Sequence, residues 1–195
     1  GDHLDGGAGA DTASYRGSPA GVTVDLASGT GIGGDAQGDT LVSIENLVGS
    51  DHADRLFGDA GGNRLAGGLG ADQLFGGGGD DVLLWDPADT VVDGGAGRDT
   101  LLVSGGNIDL SARTGKVAGI DAIDLASDPG ANAATLSAQD VLDISDAGLL
   151  TVLGGSHDSV NAGRGWAQAG PDGHGNTVYT QTVGGSVVTL VIDSD

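Results

Sequence analysis

Aspartate stands in this chain where an oxygen ligand would be useful and a nucleophile would not. Asp54, Asn63, Asp72, Asp81 and Asp99 each close a six-residue, mostly glycine-bearing stretch, and they fall in one nine-residue register. The clearest copies read GGLGADQLF from Gly67 to Phe75, GGGGDDVLL from Gly76 to Leu84 and GGAGRDTLL from Gly94 to Leu102. Glycine reaches positive φ and lets backbone carbonyls crowd inward without a clashing Cβ. A terminal aspartate adds charge to that ring of carbonyls. Calcium is the ion such a turn suits, because it takes about six to eight hard oxygens, backbone carbonyls among them. The bland alternative makes these aspartates plain turn formers; their fixed register with an apolar residue two places on favours ligation.

That apolar residue is Leu56, Leu65, Leu74, Leu83, Val92 and Leu101 in turn. Each nonad therefore reads as a six-residue turn and a three-residue strand with one side chain pointing inward, so that two nonads make one rung with turns on both sides. Successive turns on one side are then two nonads apart, and an ion between them is shared by residues eighteen apart. Asp81 and Asp99 form the best such pair, and Asn63 with Asp81 a weaker one, short of a charge. Across the coil, Asp54 pairs with Asp72 although His52 replaces a glycine. Asp72 with the degenerate WDPADT turn needs Asp86 or Asp89 as a substitute. Asp11 closes another intact turn, GGAGAD, and Asp39 closes a degenerate one. The glycines expected to shape the sites are Gly67, Gly68 and Gly70, Gly76, Gly77 and Gly79, and Gly94, Gly95 and Gly97.

One inward leucine per nonad is a thin core, so the turns need another source of hold. The composition agrees with a cation. Asp and Glu total 28 against 7 Lys and Arg, the formal net charge is -21, and Glu45 is the only glutamate. Such a field repels nucleic acid and anionic lipid. The chain has 40 Gly and no Cys or Met. It shows no long apolar run for a membrane span, and its Asp-containing start is no signal peptide. GDHLD at the start reads as the second half of a repeat, as though the chain were cut from a longer protein.

Four segments are expected: 1–14, partial repeats; 15–48, a β-strand insertion in which Val22, Val24 and Leu26 alternate with polar residues; 49–102, six uninterrupted nonads; and 103–195, a capping region. In the last, strands are predicted over Ile108 to Leu110, Ile120 to Leu125, Leu149 to Leu153, Thr177 to Thr180 and Val187 to Ile192. A helix is predicted from Ala138 to Ile144, with Ser137 as N-cap and Asp140 as a short-armed capping-box partner. A stacked repeat must cover its last rung, which is the role assigned to this region.

The nonads resemble those of RTX proteins, Gram-negative polypeptides exported by type I secretion. The likeness is strong over Gly6 to Ser14 and Gly49 to Leu102. The segment Val22 to Val48 is similar to stretches between RTX blocks. SAQDVLDIS from Ser137 to Ser145 and the GW…VYT…VIDSD tail resemble the C-terminal ends of large secreted RTX adhesins. The resemblance implies an all-β fold, a parallel β-roll with several calcium ions between turns and a strand-rich C-terminal cap. It also implies passage through the type I secretion machinery unfolded, folding by calcium outside the cell, and a secretion signal within or adjoining the last residues. Two of the six central turns lack the motif, so fewer ions than repeats are expected.

With one glutamate an H-E-x-x-H zinc helix is impossible, and no G-x-S-x-G elbow exists. GTGIGG from Gly29 to Gly34 matches a dinucleotide fingerprint, but the following DAQGDT is no amphipathic helix. His3, His52, His157 and His174 are scattered and read as surface residues. Asp121 and Asp124 flank a strand and read as a solvated face. Trp85 and Trp166 could be sugar-stacking platforms, though a core or cap role is the simpler expectation. The expectation is a non-enzymatic, extracellular calcium-binding module from the secretion end of an adhesin. The alternatives are the export module of a secreted protease, lipase or alginate epimerase whose catalytic domain lies upstream, or a glycan-binding module in the C-terminal strands.

Overall fold

The computed structural model describes residues 1–104, 106–112, 116–127 and 130–193. It divides into two compact units, Gly1–Asp99 and Thr100–Asp195. The fold is all-β, with one short α-helix among the described residues.

The first unit is built from very short strands because each glycine hexamer interrupts the chain. These are β1 His3–Asp5, β2 Thr12–Ser14, β3 Thr23–Asp25, β4 Thr30–Ile32, β5 Thr40–Val42, β6 Asn46–Val48, β7 Arg55–Phe57, β8 Arg64–Ala66, β9 Gln73–Gly78, β10 Val82–Trp85 and β11 Val91–Ala96. They fall in two sheets and alternate between them from β5 onward. One runs β1-β5-β4-β3-β7-β9-β11 and the other β2-β6-β8-β10. Neighbouring nonads in a sheet are parallel and shifted by eighteen residues, so Leu56 stands beside Leu74 and Leu74 beside Val92. In the facing sheet Leu47, Leu65 and Leu83 stack in the same way. All six are fully buried while their strand neighbours are half-buried or exposed. The eighteen-residue rung expected from the spacing is the rung observed.

The segment 15–48 belongs to the same coil. β3 pairs in parallel with β7, and β5 in parallel with β1, with Leu41 beside Leu4. Between them β4 runs antiparallel to both, a reversal the alternation pattern did not show. The GTGIGG stretch forms β4 and a 3-10 turn over Gly34–Ala36, without the helix a dinucleotide site requires.

The second unit keeps parallel rungs after the glycine motif ends. Its strands are β12 Thr100–Val103, β13 Asn107–Asp109, β14 Val117–Ala118, β15 Ala122–Asp124, β16 Ala133–Thr135, β17 Leu149–Leu153, β18 Ser159–Asn161, β19 Ala167–Pro171, β20 Thr177–Val183 and β21 Ser186–Asp193. β12, β15, β17 and β21 form a parallel ladder, and β13, β16 and β18 a second one. β21, β20 and β19 then turn antiparallel. The predicted strand at Ile108 ends one residue early, because Leu110 opens a 3-10 turn. The predicted strand over Ile120 to Leu125 shortens to Ala122–Asp124, where the Asp124 carboxylate accepts from the N–H groups of Ala126 and Ser127 and turns the chain.

Helix α1 spans Ala138–Ile144 as predicted. The Ser137 hydroxyl accepts from the Asp140 N–H at 3.3 Å, and Asp140 accepts from the Ser137 N–H at 2.6 Å, completing the capping box. Its buried face is Ala138, Val141 and Ile144.

Candidate metal centres

The residues that close the turns are where the turn chemistry concentrates. Asp39, Asp54, Asn63, Asp72, Asp81, Asp89 and Asp99 are all buried, none more than 4 % exposed, and Asp11 is half-buried. A buried carboxylate is costly unless paired or hydrogen-bonded. In the roll it is paired along the coil axis. Asp72 accepts from the Asp54 N–H at 2.8 Å, Asp81 from the Asn63 N–H at 2.7 Å, and Asp99 from the Asp81 N–H at 2.9 Å. The residues eighteen apart that the sequence pairs through a shared ion are thus joined by hydrogen bonds, one carboxylate oxygen to the rung before it.

The second oxygen separates the turns into two kinds. Oδ2 of Asp11, Asp72 and Asp81 is buried with no hydrogen-bond partner. An orphaned carboxylate oxygen in a native interior calls for a cation. Asp54 is different, since Ser50 donates to its carboxylate from both the backbone N–H, at 2.6 Å, and the hydroxyl. The Asp39 carboxylate accepts from the Asp2 N–H at 2.7 Å and from the buried Tyr15 hydroxyl at 3.1 Å. Burial, and then that bond to Asp39, raise the Tyr15 hydroxyl far above its ordinary range. Asn63 is committed at both ends: its oxygen accepts from Asp59 N–H and its amide donates to the Glu45 carbonyl at 3.0 Å.

The glycines complete the open sites. A Cβ at Gly76 would collide with Asp81 Oδ2 and with the carbonyl oxygen of Gly94 in the next turn, and one at Gly67 would collide with Asp72 Oδ2. Only glycine leaves room between carboxylate and carbonyl there. In the upper parts of the turns Gly68, Gly70, Gly77, Gly79, Gly95 and Gly97 all have positive φ. Gly97 makes the point: at φ 138° its missing Cβ would overlap the Gly79 carbonyl of the preceding rung. At Gly76 the carbonyl of the next turn therefore comes close to the orphaned Asp81 oxygen.

Burial sets the electrostatics of these carboxylates. It pushes Asp72 and Asp81 up to about 6, helped by Asp54 and Asp86 around the first and by Asp99, Asp59 and Asp80 around the second. Asp89 is pushed up to about 7, again chiefly by burial, with Asp72 and Asp86 adding repulsion. Asp89 also accepts from the Asp86 N–H at 2.8 Å. Of the two substitutes foreseen for the WDPADT turn, Asp89 is thus the buried one facing Asp72. Thr90 stands in the strand-preceding position and donates its hydroxyl to the Asp72 carbonyl.

Sequence reasoning missed Glu45. Its carboxylate accepts from the Asp11 N–H at 2.8 Å, and Asn46 and Glu45 donate their N–H groups to the Asp11 carbonyl. Asp11 therefore has its partner inside the 15–48 segment. The signal was present, because Glu45 stands nine residues before Asp54 and two before Leu47. Ser50 and Tyr15 carried no such register. The other reserved positions behave as surface or turn groups: the four histidines are exposed, and Asp124 caps the turn formed with Ser127.

Among the described residues no three His, Cys, Asp or Glu side chains converge. A cation held here would draw one or two carboxylate oxygens and otherwise backbone carbonyls, a hard all-oxygen donor set that fits calcium and not zinc or copper. A family model for the RTX calcium-binding nonapeptide repeat, in four copies, matches residues 1–14, 48–83 and 88–107. The chain carries RTX calcium-binding nonapeptide repeats. The gap in the match at 84–87 falls on the degenerate turn of Trp85 and Pro87, and the unmatched 15–47 contains the antiparallel β4. No curated protein matches this chain. No helix among the described residues is long and apolar enough to cross a membrane.

Proposed function

We propose that this RTX roll is a calcium-triggered folding module near the secretion end of an extracellular Gram-negative protein exported by the type I machinery, and that the parent protein is an adhesin. The observation that carries the first half is the pair of orphaned, buried Asp72 and Asp81 oxygens, the latter beside the Gly94 carbonyl of the next turn. Bound calcium supplies the positive charge that these oxygens lack. The chain's own part is to position them: Asp54, Asn63 and Asp81 hold the next carboxylate by a backbone N–H, and glycine turns aim carbonyls at the same cleft. At low calcium, as in a cytosol, the clustered charges oppose packing, which keeps the chain unfolded for export. The roll is read as non-catalytic, since its buried acids are engaged with backbone amides.

The adhesin reading rests on the resemblance of Ser137 to Ser145 and of the tail to the ends of large adhesins. Calorimetric titration with calcium, followed by far-ultraviolet circular dichroism in chelator, tests the folding role. Strand signal that rises markedly when calcium is added is the expected result, and a spectrum identical in chelator and in calcium would refute it.

A further inference from the structure

The chain has few aromatic residues, two each of Trp, Tyr and Phe, and four of the six are used in packing. Trp85 and Tyr15 are buried in the first unit. Phe57 and Phe75 stack face to face at 4.8 Å on neighbouring rungs. The remaining two, Trp166 and Tyr179, line one cleft in the second unit, of about 350 Å³, together with Asn161, Ala162, Gly163 and Gly165. That volume is within the range of small-ligand sites.

The cleft is built to hold its aromatic rings still. The Trp166 indole N–H donates to the Ala162 carbonyl at 2.6 Å, so the ring is fixed while remaining half-exposed. The intervening chain is bent by Gly163 and Gly165, both at positive φ, and Asn161 accepts from the Gly163 N–H. Tyr179 projects from the long strand β20, registered between Gln168 of β19 and Leu190 of β21. A register shift between Gln168 and Gly170 bends β19 beside it. Next to Gly165 lies Gln181, whose side-chain oxygen is buried without a hydrogen-bond partner. The cleft thus combines aromatic faces, an amide and exposed glycine backbone.

We propose that this cleft is a binding site for a neutral saccharide. A sugar ring offers an apolar C–H face for the indole and hydroxyls that both donate and accept, which matches a lining of aromatic faces and amide groups. The chain's net charge of -21 selects against anionic glycans. The site is separate in sequence from the calcium-binding turns, because its residues lie between Val160 and Ile192 while the matched repeats end at 107.

The test uses the whole calcium-loaded chain on an array of neutral and acidic glycans. Saturation-transfer NMR with free glucose, galactose and N-acetylglucosamine follows in solution. Binding to a subset of neutral sugars is expected, with a roughly tenfold or greater loss of affinity in Trp166→Ala and Tyr179→Ala. Trp166→Phe keeps a ring face, so it retains part of the binding and covers the case in which the alanine variant fails to fold; Asn161→Ala gives a second, milder probe. A blank array with no saturation transfer, selective binding of acidic glycans, or full binding by the folded Trp166 and Tyr179 variants would each overturn the proposal.

Discussion

Asp54 and Asp81 occupy equivalent places in the repeat, yet one carboxylate is saturated by Ser50 and the other keeps a buried oxygen open. The difference predicts unequal mutants. Asp81→Asn keeps an oxygen for the Asn63 N–H but removes the charge, and should weaken calcium binding by about tenfold or more, roughly 1.4 kcal/mol. Asp54→Asn should cost clearly less in the same calorimetric titration; equal losses would show that the Ser50 bonds do not matter. Acidity gives a second prediction. Folded Asp72 and Asp81 sit at about 6 and Asp89 at about 7, above the ordinary 3.8. A group raised in the folded state binds its proton more tightly there, so its contribution is present below pH 4 and is lost as pH rises through 6 to 7. The metal-free roll should therefore melt at higher temperature near pH 5 than near pH 7.5. Calcium binding has the opposite slope, since it needs the ionised carboxylate, and affinity should fall as pH drops through 7 to 5. Melting curves with chelator and with calcium at the two pH values check both signs.

At the scale of the elements, a glycine turn is specified by what a side chain would strike. Gly97→Ala places a Cβ on the Gly79 carbonyl and leaves alanine at φ 138°, which should destabilise the calcium-loaded roll by about 1–3 kcal/mol in thermal melts. Gly7, with positive φ but open space around it, should tolerate alanine better. A Gly97 variant no worse than the Gly7 variant would remove the steric account. The same turns explain what could be read in advance. Leucine spacing plus glycine hexamers specifies strand, turn and eighteen-residue rung together, so Leu56 beside Leu74 and the Asp54–Asp72 coupling were legible. Ser137 and Asp140 made α1 legible because a capping box is local. β4 was not, since an antiparallel return depends on partners outside its own segment. Neither was the Ser50 saturation of Asp54 nor the Tyr15 bond to Asp39, where the pairing is decided by side-chain placement and not by period.

For the whole molecule, the two units solve the problem of a thin coil in different ways. The first stacks one leucine or valine per nonad and buries a row of acids. If free calcium is about a hundred times the dissociation constant, each site adds roughly 2.7 kcal/mol, so three contribute about 8 kcal/mol, comparable with the stability of a domain. The second unit fills its parallel rungs with Ile108, Ile120, Ile123, Leu125, Leu150 and Leu190 among others, and hydrogen bonds between protein groups tie its described turns. Asn132 accepts from the Gly106 N–H at 3.0 Å and donates its amide to the Leu125 carbonyl, while Asp158 accepts from the Asn132 N–H at 2.9 Å. There an asparagine bridges neighbouring rungs, the same substitution that Asn63 makes toward Glu45 in the first unit. Removing calcium should therefore act locally. Hydrogen exchange of the full chain in chelator should show β7 to β11 losing protection by orders of magnitude while β15, β17 and β21 keep most of theirs. Uniform loss in both units would mean that their folding is one cooperative event driven by the ions. Uniform protection would mean that hydrogen bonds along the aspartate ladder hold the roll without them.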